Sequence, residues 1–273
     1  MSRFVAQKAG VAGAMIVLAV VLVAIASPWL APHPYDETSL LNTWGPPDAS
    51  NLLGTDALGR DILSRLIVGA RISLAVSLSV MMITLAIGVA VGIVAGYIGG
   101  WVDAVAMRIV DIVLAFPEVV LAILVAAVIG PGIATVIVAL SLVWWPGIAR
   151  LTRSLVLVQR RALYIDAAIC TGLRTRAILW RHVLPNILPS LLVRASVGIG
   201  FIIMAEATLS FIGLGVQEPV PSWGSMVRDG LPMLSTDPML AISGSVVIGL
   251  TIIGFNLLGD GLRDALDPTL RGR

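Results

Sequence analysis

The sequence predicts an all-α integral membrane protein with six transmembrane helices, and three observations carry that reading. Of its 273 residues, 58% are hydrophobic and only 12% charged, about half the charged share of an ordinary soluble domain. Mean hydropathy is +0.99, and apolar runs recur along almost the whole chain, too many for a water-facing surface to cover. The runs are continuous and rich in Ala, Val, Ile, Leu and Gly, whereas a membrane β-barrel would show alternating segments of about 10 residues.

A helix rises about 1.5 Å per residue, so about 20 apolar residues cross a hydrocarbon core of about 30 Å. By that ruler the spans run from Val11 to Ala31, Ile72 to Tyr97, Ile112 to Ile129, Ile133 to Ala149, Ala195 to Gly215 and Met239 to Leu258. The first, with Arg3 and Lys8 before it and Ala24-Ile25-Ala26 inside it, also has the look of a cleavable secretory signal. Its apolar stretch continues to Ala31 and five more spans follow, which favours an uncleaved first helix. The chain then divides into residues 1–71, a helix with an outer segment, and residues 72–273, a five-helix core interrupted by a basic loop, 151–194.

On this map Arg60, Arg65, Arg71 and Arg228 fall on one side and the other fourteen of the 18 basic residues on the other. The positive-inside rule therefore places both termini in the cytoplasm. The segments Pro32 to Arg71 and Val216 to Pro238 lie outside, and their repeated prolines suit ordered caps or docking surfaces. In the second span Gly88, Gly92, Gly96, Gly99 and Gly100, with Ala86 and Ala90, suit close helix contact.

Between Ala149 and Ala195 lie eight arginines and one acid, Asp166. Charge alone predicts an anchor on anionic lipid. The local pattern says more: Ala162, Leu163, Ala167, Ala168 and Cys170 surround Asp166 and are followed by Gly172, which is a short helix with a stop signal. A second run, Thr175 to Val183, ends before Pro185, and Pro189 opens the next span. The loop reads as two short helices whose small residues let a partner approach closely.

Asp166-Ala167-Ala168, Gly172 and Leu184-Pro185 resemble the EAA signature of ABC importer permeases: a Glu-Ala-Ala triplet, a Gly four residues after its last Ala, and a distal Ile-x-Leu-Pro. The chain departs twice, with Asp166 in place of Glu and His182 where Ile is usual. Three further stretches look like the dipeptide, oligopeptide and nickel branch: Leu53 to Asp61; Phe211 to Val216 with Pro221-Ser222-Trp223-Gly224; and Leu258 to Pro268. The similarity covers nearly the whole chain and is greatest to the C-type dipeptide permease subunits. It implies a type I importer permease fold in which the helix bearing Asp166, Ala167, Ala168 and Cys170 is a coupling helix in a groove of a cytoplasmic ATPase. Gly172, Leu184 and Pro185 complete that loop, and Arg160, Arg161, Arg174 and Arg176 are candidates for ATPase or lipid contact. The resemblance also implies a second related permease subunit, one or two ATPase subunits, an extracytoplasmic binding protein and a bacterial inner membrane. The implied cargo is a di- or oligopeptide, with nickel or a nickel chelate as the alternative.

A phosphate-binding loop needs Gly-rich backbone leading to Gly-Lys and Ser or Thr. The sole lysine, Lys8, precedes Ala9-Gly10 and has no such frame. ATP and Mg are thus expected on partner chains, with no cofactor and no enzymatic activity in this one. Cys170 is the single cysteine, so no intrachain disulfide can form; His33 and His182 fall on opposite sides, so no metal site is expected, and no nucleic-acid partner either. Glu118 and Glu206 fall inside predicted spans, where a carboxylate is costly, and are candidates for lining the translocation path; pairing or a helix hydrogen bond is the other reading. They are also the carboxylates a rival reading, an ion-coupled secondary transporter, would need. Asp103 and Asp111 flank Arg108 as expected local partners.

Overall fold

The computed structural model describes residues 7–266; Arg3, Arg271 and Arg273 of the charge count and Asp267-Pro268 of the last motif lie outside the described residues. Among the described residues the fold is helical: α1 (Lys8–Leu30), α2 (Ile62–Ile98), α3 (Gly100–Leu114), α4 (Glu118–Ile129), α5 (Ile133–Arg160), α6 (Leu163–Cys170), α7 (Thr175–Ile178), α8 (Leu184–Phe211), α9 (Trp223–Gly230) and α10 (Met239–Leu266). Five of these elements are long and apolar enough to cross a membrane, α7 and α8 counting as one, and α3 with α4 makes a sixth if that bent pair is one span. The chain is a multi-pass α-helical membrane protein. One end of the bundle carries the loop around α6, and the opposite end carries a cap built from residues 32–61 and 212–238.

In lipid, burying one apolar helix against another releases no water, so close packing and polar contacts decide which helices associate. Glycines show this at the α2–α5 crossing. A Cβ on Gly88 would lie 2.7 Å from the Ile148 Cβ, and one on Gly92 2.5 Å from the Thr152 Cβ. Gly88, Gly92 and Gly96 of the second span are thus used inside the chain, while nothing lies within 4 Å of a Cβ on Gly100. The main core, including Leu74, Val80, Leu140, Val143, Ile202 and Leu209, lies where α2, α5 and α8 meet.

Six expectations from the sequence are corrected. The second span starts at Ile62, not Ile72, so the division at 71/72 falls within α2. Asp61 caps it, its Oδ2 accepting from the Ser64 amide at 2.8 Å and the Ser64 hydroxyl at 2.6 Å; Ser64 and Arg65 do not delay the helix because both are buried and partnered. The third span, Ile112 to Ile129, is broken: α3 and α4 meet at 85°, because Pro117 offers no N–H and disfavours helix in the residue before it. Glu118 is accordingly an exposed residue in the first turn of α4, where the helix dipole favours a carboxylate, and not a mid-span charge.

The fourth span runs past Ala149 to Arg160, since its arginines find partners across the bundle: Arg150 binds Asp111 at 2.5 Å and Arg153 binds Asp103 at 2.5 Å. Those acids pair with α5 and not with Arg108. Finally, no helix ends before Pro185. The Leu184 amide donates to the Leu179 carbonyl five residues back, and the π turn Leu179–Val183 joins α7 to α8 without a break. A π turn shifts the hydrogen-bond register by one residue, which absorbs the donor that Pro185 lacks.

Candidate functional site

At the loop end, α6 begins after Ala162 and stops at a two-bond Schellman cap. Gly172 N–H donates to the Ile169 carbonyl at 2.9 Å and Leu173 N–H to the Ala168 carbonyl at 3.2 Å. Gly172 has φ +76°, and no atom lies within 4 Å of where its Cβ would be. Its requirement is conformational, for the left-handed region, and not steric.

The helix has two faces. Ile165 and Ala168 are buried in a base cluster with Val156, Ile178, Val183, Ile187 and Leu191, and Leu184 packs on its edge. Asn186 adds a strap from α8, donating to the Tyr164 hydroxyl at 3.2 Å and the His182 carbonyl at 2.6 Å. The other face, Leu163, Asp166, Ala167, Ile169 and Cys170, is exposed. A knob made jointly of Ala167 and Ala168 is therefore corrected: at three to four residues per turn Ala168 follows Ile165 inward and leaves Ala167 as the small outward residue. Pro185 is exposed, as are Arg160, Arg161, Arg174 and Arg176. Arg160 also leans back on the bundle, its guanidinium carbon 5.8 Å from the Tyr97 ring centre. The structure brings the loop residues to one end around a packed base.

The cap end holds a second construction that sequence reasoning did not find. Asp56 Oδ1 accepts from the amides of Leu58 at 2.9 Å and Arg60 at 3.0 Å, which closes a tight turn, while its Oδ2 takes Arg60 Nε at 2.7 Å. Arg60 Nη1 reaches on to Glu218, and Arg65, 1% exposed, donates Nη2 to Glu218 at 3.2 Å and Nη1 to the Tyr35 carbonyl at 3.3 Å. Arg65 Nε lies 3.4 Å from Asp56 Oδ2 without the alignment of a hydrogen bond. Two cations and two carboxylates thus form a neutral cluster joining the 32–61 segment, α2 and the 212–221 segment. Burial alone would raise the Glu218 carboxyl; the Arg60 hydrogen bond and the charges of Arg65, Arg60 and Arg228 outweigh it and hold the group below its ordinary value.

Beneath this cluster lies α9. Ser222 caps it in a reciprocal pair with Ser225, and Trp223, fully buried, donates Nε1 to the Leu66 carbonyl at 3.1 Å. A Cβ on Gly224 would lie 2.5 Å from the Ala207 carbonyl oxygen, so the Pro-Ser-Trp-Gly stretch is a cap, an anchor and a close approach in succession. Glu206, on α8, is fully buried and faces this joint. Its Oε1 accepts from the Ser210 hydroxyl at 2.8 Å, the hydroxyls of Ser73 and Ser222 lie beside it, and Oε2 has no partner. Glu118 is not among its partners and stands exposed at the α3–α4 bend. The structure does not bring the two carboxylates together.

Comparison with known proteins fits this architecture of a bundle, a two-faced loop helix and a cap. Residues 88–272 match the family described as binding-protein-dependent transport system inner membrane component. The chain belongs to that family.

Residues 1–47 match the N-terminal transmembrane domain of oligopeptide transport permease C. Among curated relatives of this permease family, the chain is 42% identical over 272 residues to the glutathione transport system permease protein GsiD of Pectobacterium atrosepticum, covering 98% of this chain and 90% of that one. It is 40% identical to the oligopeptide transport system permease protein OppC of Bacillus subtilis, over 99% and 89% of the two chains. It is 39% identical to the dipeptide transport system permease protein DppC of Alkalihalophilus pseudofirmus, over 97% and 87%. In fold it is like a chain of the inward-facing MetNI methionine ABC transporter, with a TM-score of 0.62 at 18% identity, over 76% of this chain and 98% of that one. As a member of this permease family the chain is the membrane subunit of an ABC importer, and ATP hydrolysis and substrate capture belong to other chains of the system.

Proposed function

We propose that this permease forms half of the path for di- or oligopeptides, driven by ATP hydrolysis on one or two cytoplasmic ATPase subunits and paired with a second related permease. Both termini lie in the cytoplasm on this reading, supported by the fourteen-to-four division of basic residues. The cap then faces outward to an extracytoplasmic binding protein, and the loop faces the ATPase.

The observation that carries the reading is the two-faced helix α6. Ile165 and Ala168 fix it to the base cluster while Leu163, Asp166, Ala167, Ile169 and Cys170 stand free. Exposed apolar side chains beside a small residue suit insertion in a partner's groove. Flanking Arg161, Arg174 and Arg176 would orient the docked pair, and the rigid base would pass its motion to α5 and α8. Alternating access then arises from differential contacts in two states, with no covalent chemistry in this chain. Glu206 enters this scheme as the pin of the joint between α8, α2 and α9, and Glu118 as a charge at the α3–α4 bend. The peptide cargo is supported by the names of the GsiD, OppC and DppC relatives.

The test is affinity purification from native membranes, followed by ATPase assays with receptors loaded with peptide or with nickel. Co-purifying ATPase and second permease, with stimulation by the peptide-loaded receptor, is the expected result; stimulation by nickel alone would overturn the cargo, and purification of the chain by itself would overturn the coupling. Ala167→Glu should cut the co-purified ATPase several-fold, and full retention would show that α6 does not enter a groove.

A further inference from the structure

We propose that Arg194 is a binding point on the translocation path, where its guanidinium takes the terminal carboxylate of a passing peptide. The inference deepens the reading given above and rests on it. By sequence Arg194 closes the basic loop 151–194. In the structure it lies about midway along the 37-residue stretch from Thr175 to Phe211, and its side chain runs on away from the loop. Nη1 is 3.9 Å from where a Cβ on Gly198, one turn nearer the cap, would be, and Met81 of α2 reaches the same point at 2.6 Å. Met81 is itself about midway along α2. Roughly 16 Å of helix separates it from Gly92, which packs against Thr152 and Arg153 at the loop end. Two helices thus agree in placing the guanidinium deep in the apolar layer, where a cation is costly.

Nothing in this chain offsets that cost. Arg65, Arg150 and Arg153 hold Glu218, Asp111 and Asp103, whereas among the described residues Arg194 makes no ion pair. It is only partly buried, and Ser190 and Phe201, on the same stripe of α8 at helical spacing, are exposed. Phe201 leans on Trp144 of α5, ring centres 6.2 Å apart; one turn nearer the loop, nothing lies within 4 Å of a Cβ on Gly147. The stripe therefore opens on unfilled space at the edge of α5. A charged side chain at this depth faces a bundle interior or a water-filled cavity, not lipid. In a transporter whose pore forms between two permeases, that cavity is the path.

The side chains select the cargo group. A guanidinium matches a carboxylate with two parallel hydrogen bonds, and every peptide with a free C-terminus carries one. Trp144, Phe201 and Met204, on the open side of α5 and α8, add broad or adaptable apolar surface, which suits varied side chains anchored by one constant charge. The same cation repels a bare nickel ion.

The test uses the full transporter in proteoliposomes with its binding protein loaded to saturation. Arg194→Gln should cut uptake of a labelled peptide about tenfold while the ATPase and second permease still co-purify, and Arg194→Lys should recover part of the loss. The C-terminal amide of the same peptide should be taken up no differently by the Arg194→Gln and unsubstituted transporters. With p-benzoylphenylalanine in place of Phe201, light should join the labelled peptide to α8 during ATP-driven turnover, and Arg194→Gln should weaken that adduct. Unchanged peptide uptake in Arg194→Gln, equal loss of acid and amide, or an adduct only to lipid or the second permease would overturn the assignment. So would loss of the second permease from the Arg194→Gln complex, which would give the carboxylate to that subunit. Those outcomes leave the peptide cargo standing; uptake of nickel and not of peptide by the unsubstituted transporter would overturn the cargo and this assignment together.

Discussion

Arg65→Met probes whether the cap is held by its buried charges. Methionine replaces the apolar stem but removes the donors to Glu218 at 3.2 Å, the Tyr35 carbonyl at 3.3 Å and the Pro219 carbonyl at 3.5 Å. It also turns a neutral cluster into one with a surplus negative charge, held only by Arg60. Removing one member of a buried ion pair costs about 3–5 kcal/mol. The Glu218 side chain is 42% exposed and can rehydrate, which puts the expectation at the low end, about 3 kcal/mol. At about 2–4 °C per kcal/mol for a chain near this size, purified protein in detergent should melt roughly 6–12 °C lower. Arg71→Met, on the exposed face of the same helix, is the control. Arg65→Lys should fall between, since one ammonium cannot span three acceptors. Adding Glu218→Gln to Arg65→Met should cost less than the two single changes summed, because the same contact is counted twice. A shift for Arg65→Met within about 0.5 kcal/mol of the control would refute the view that these charges hold the cap.

Gly92→Val should destabilise the bundle by about 1–3 kcal/mol through overpacking at the α2–α5 crossing, read as lowered melting, whereas Gly147→Ala, where a Cβ meets nothing within 4 Å, should not. Gly172→Val forces a β-branched residue to φ +76° at a local cost of about 1–2 kcal/mol; uptake should fall while the protein stays in the membrane, and unchanged uptake would count against a coupling role for the loop. Glu218 sits below its ordinary value of 4.5 in the folded state, so its contribution is complete above that value and lost as pH falls through the lowered one. Acid melting curves should therefore show a limb below about pH 4.5 that Glu218→Gln removes.

Much of the fold was legible because the signals were local. Apolar runs mark the spans, and the Ala-rich turn closed by Gly172 marks α6, since a left-handed cap leaves its requirement in one residue. What escaped depended on distant partners. Pro185 reads as a stop until the π turn is seen to absorb it, and Ala168 can be assigned inward only once Ile178 and Leu191 are in place. The Arg60–Arg65–Glu218 cluster joins residues more than 150 positions apart. One clue was available: the few arginines on the sparsely basic side of the chain's map call for acids, and Asp56 and Glu218 stand in the same segments.

The unbroken passage from α7 through the π turn into α8 has a mechanical consequence. Thr175 to Phe211 is 37 residues, a rod of about 55 Å at 1.5 Å per residue, with α6 lashed to one end and the Glu206–Trp223 joint at the other. A tilt of about 5° about one end carries the other through roughly 5 Å, by the length just given. The rod's least regular point is the π turn, close beside α6 and far from the cap. A bend at that point would swing the regular stretch from Pro185 to Phe211 as one piece, so that the cap end moves furthest.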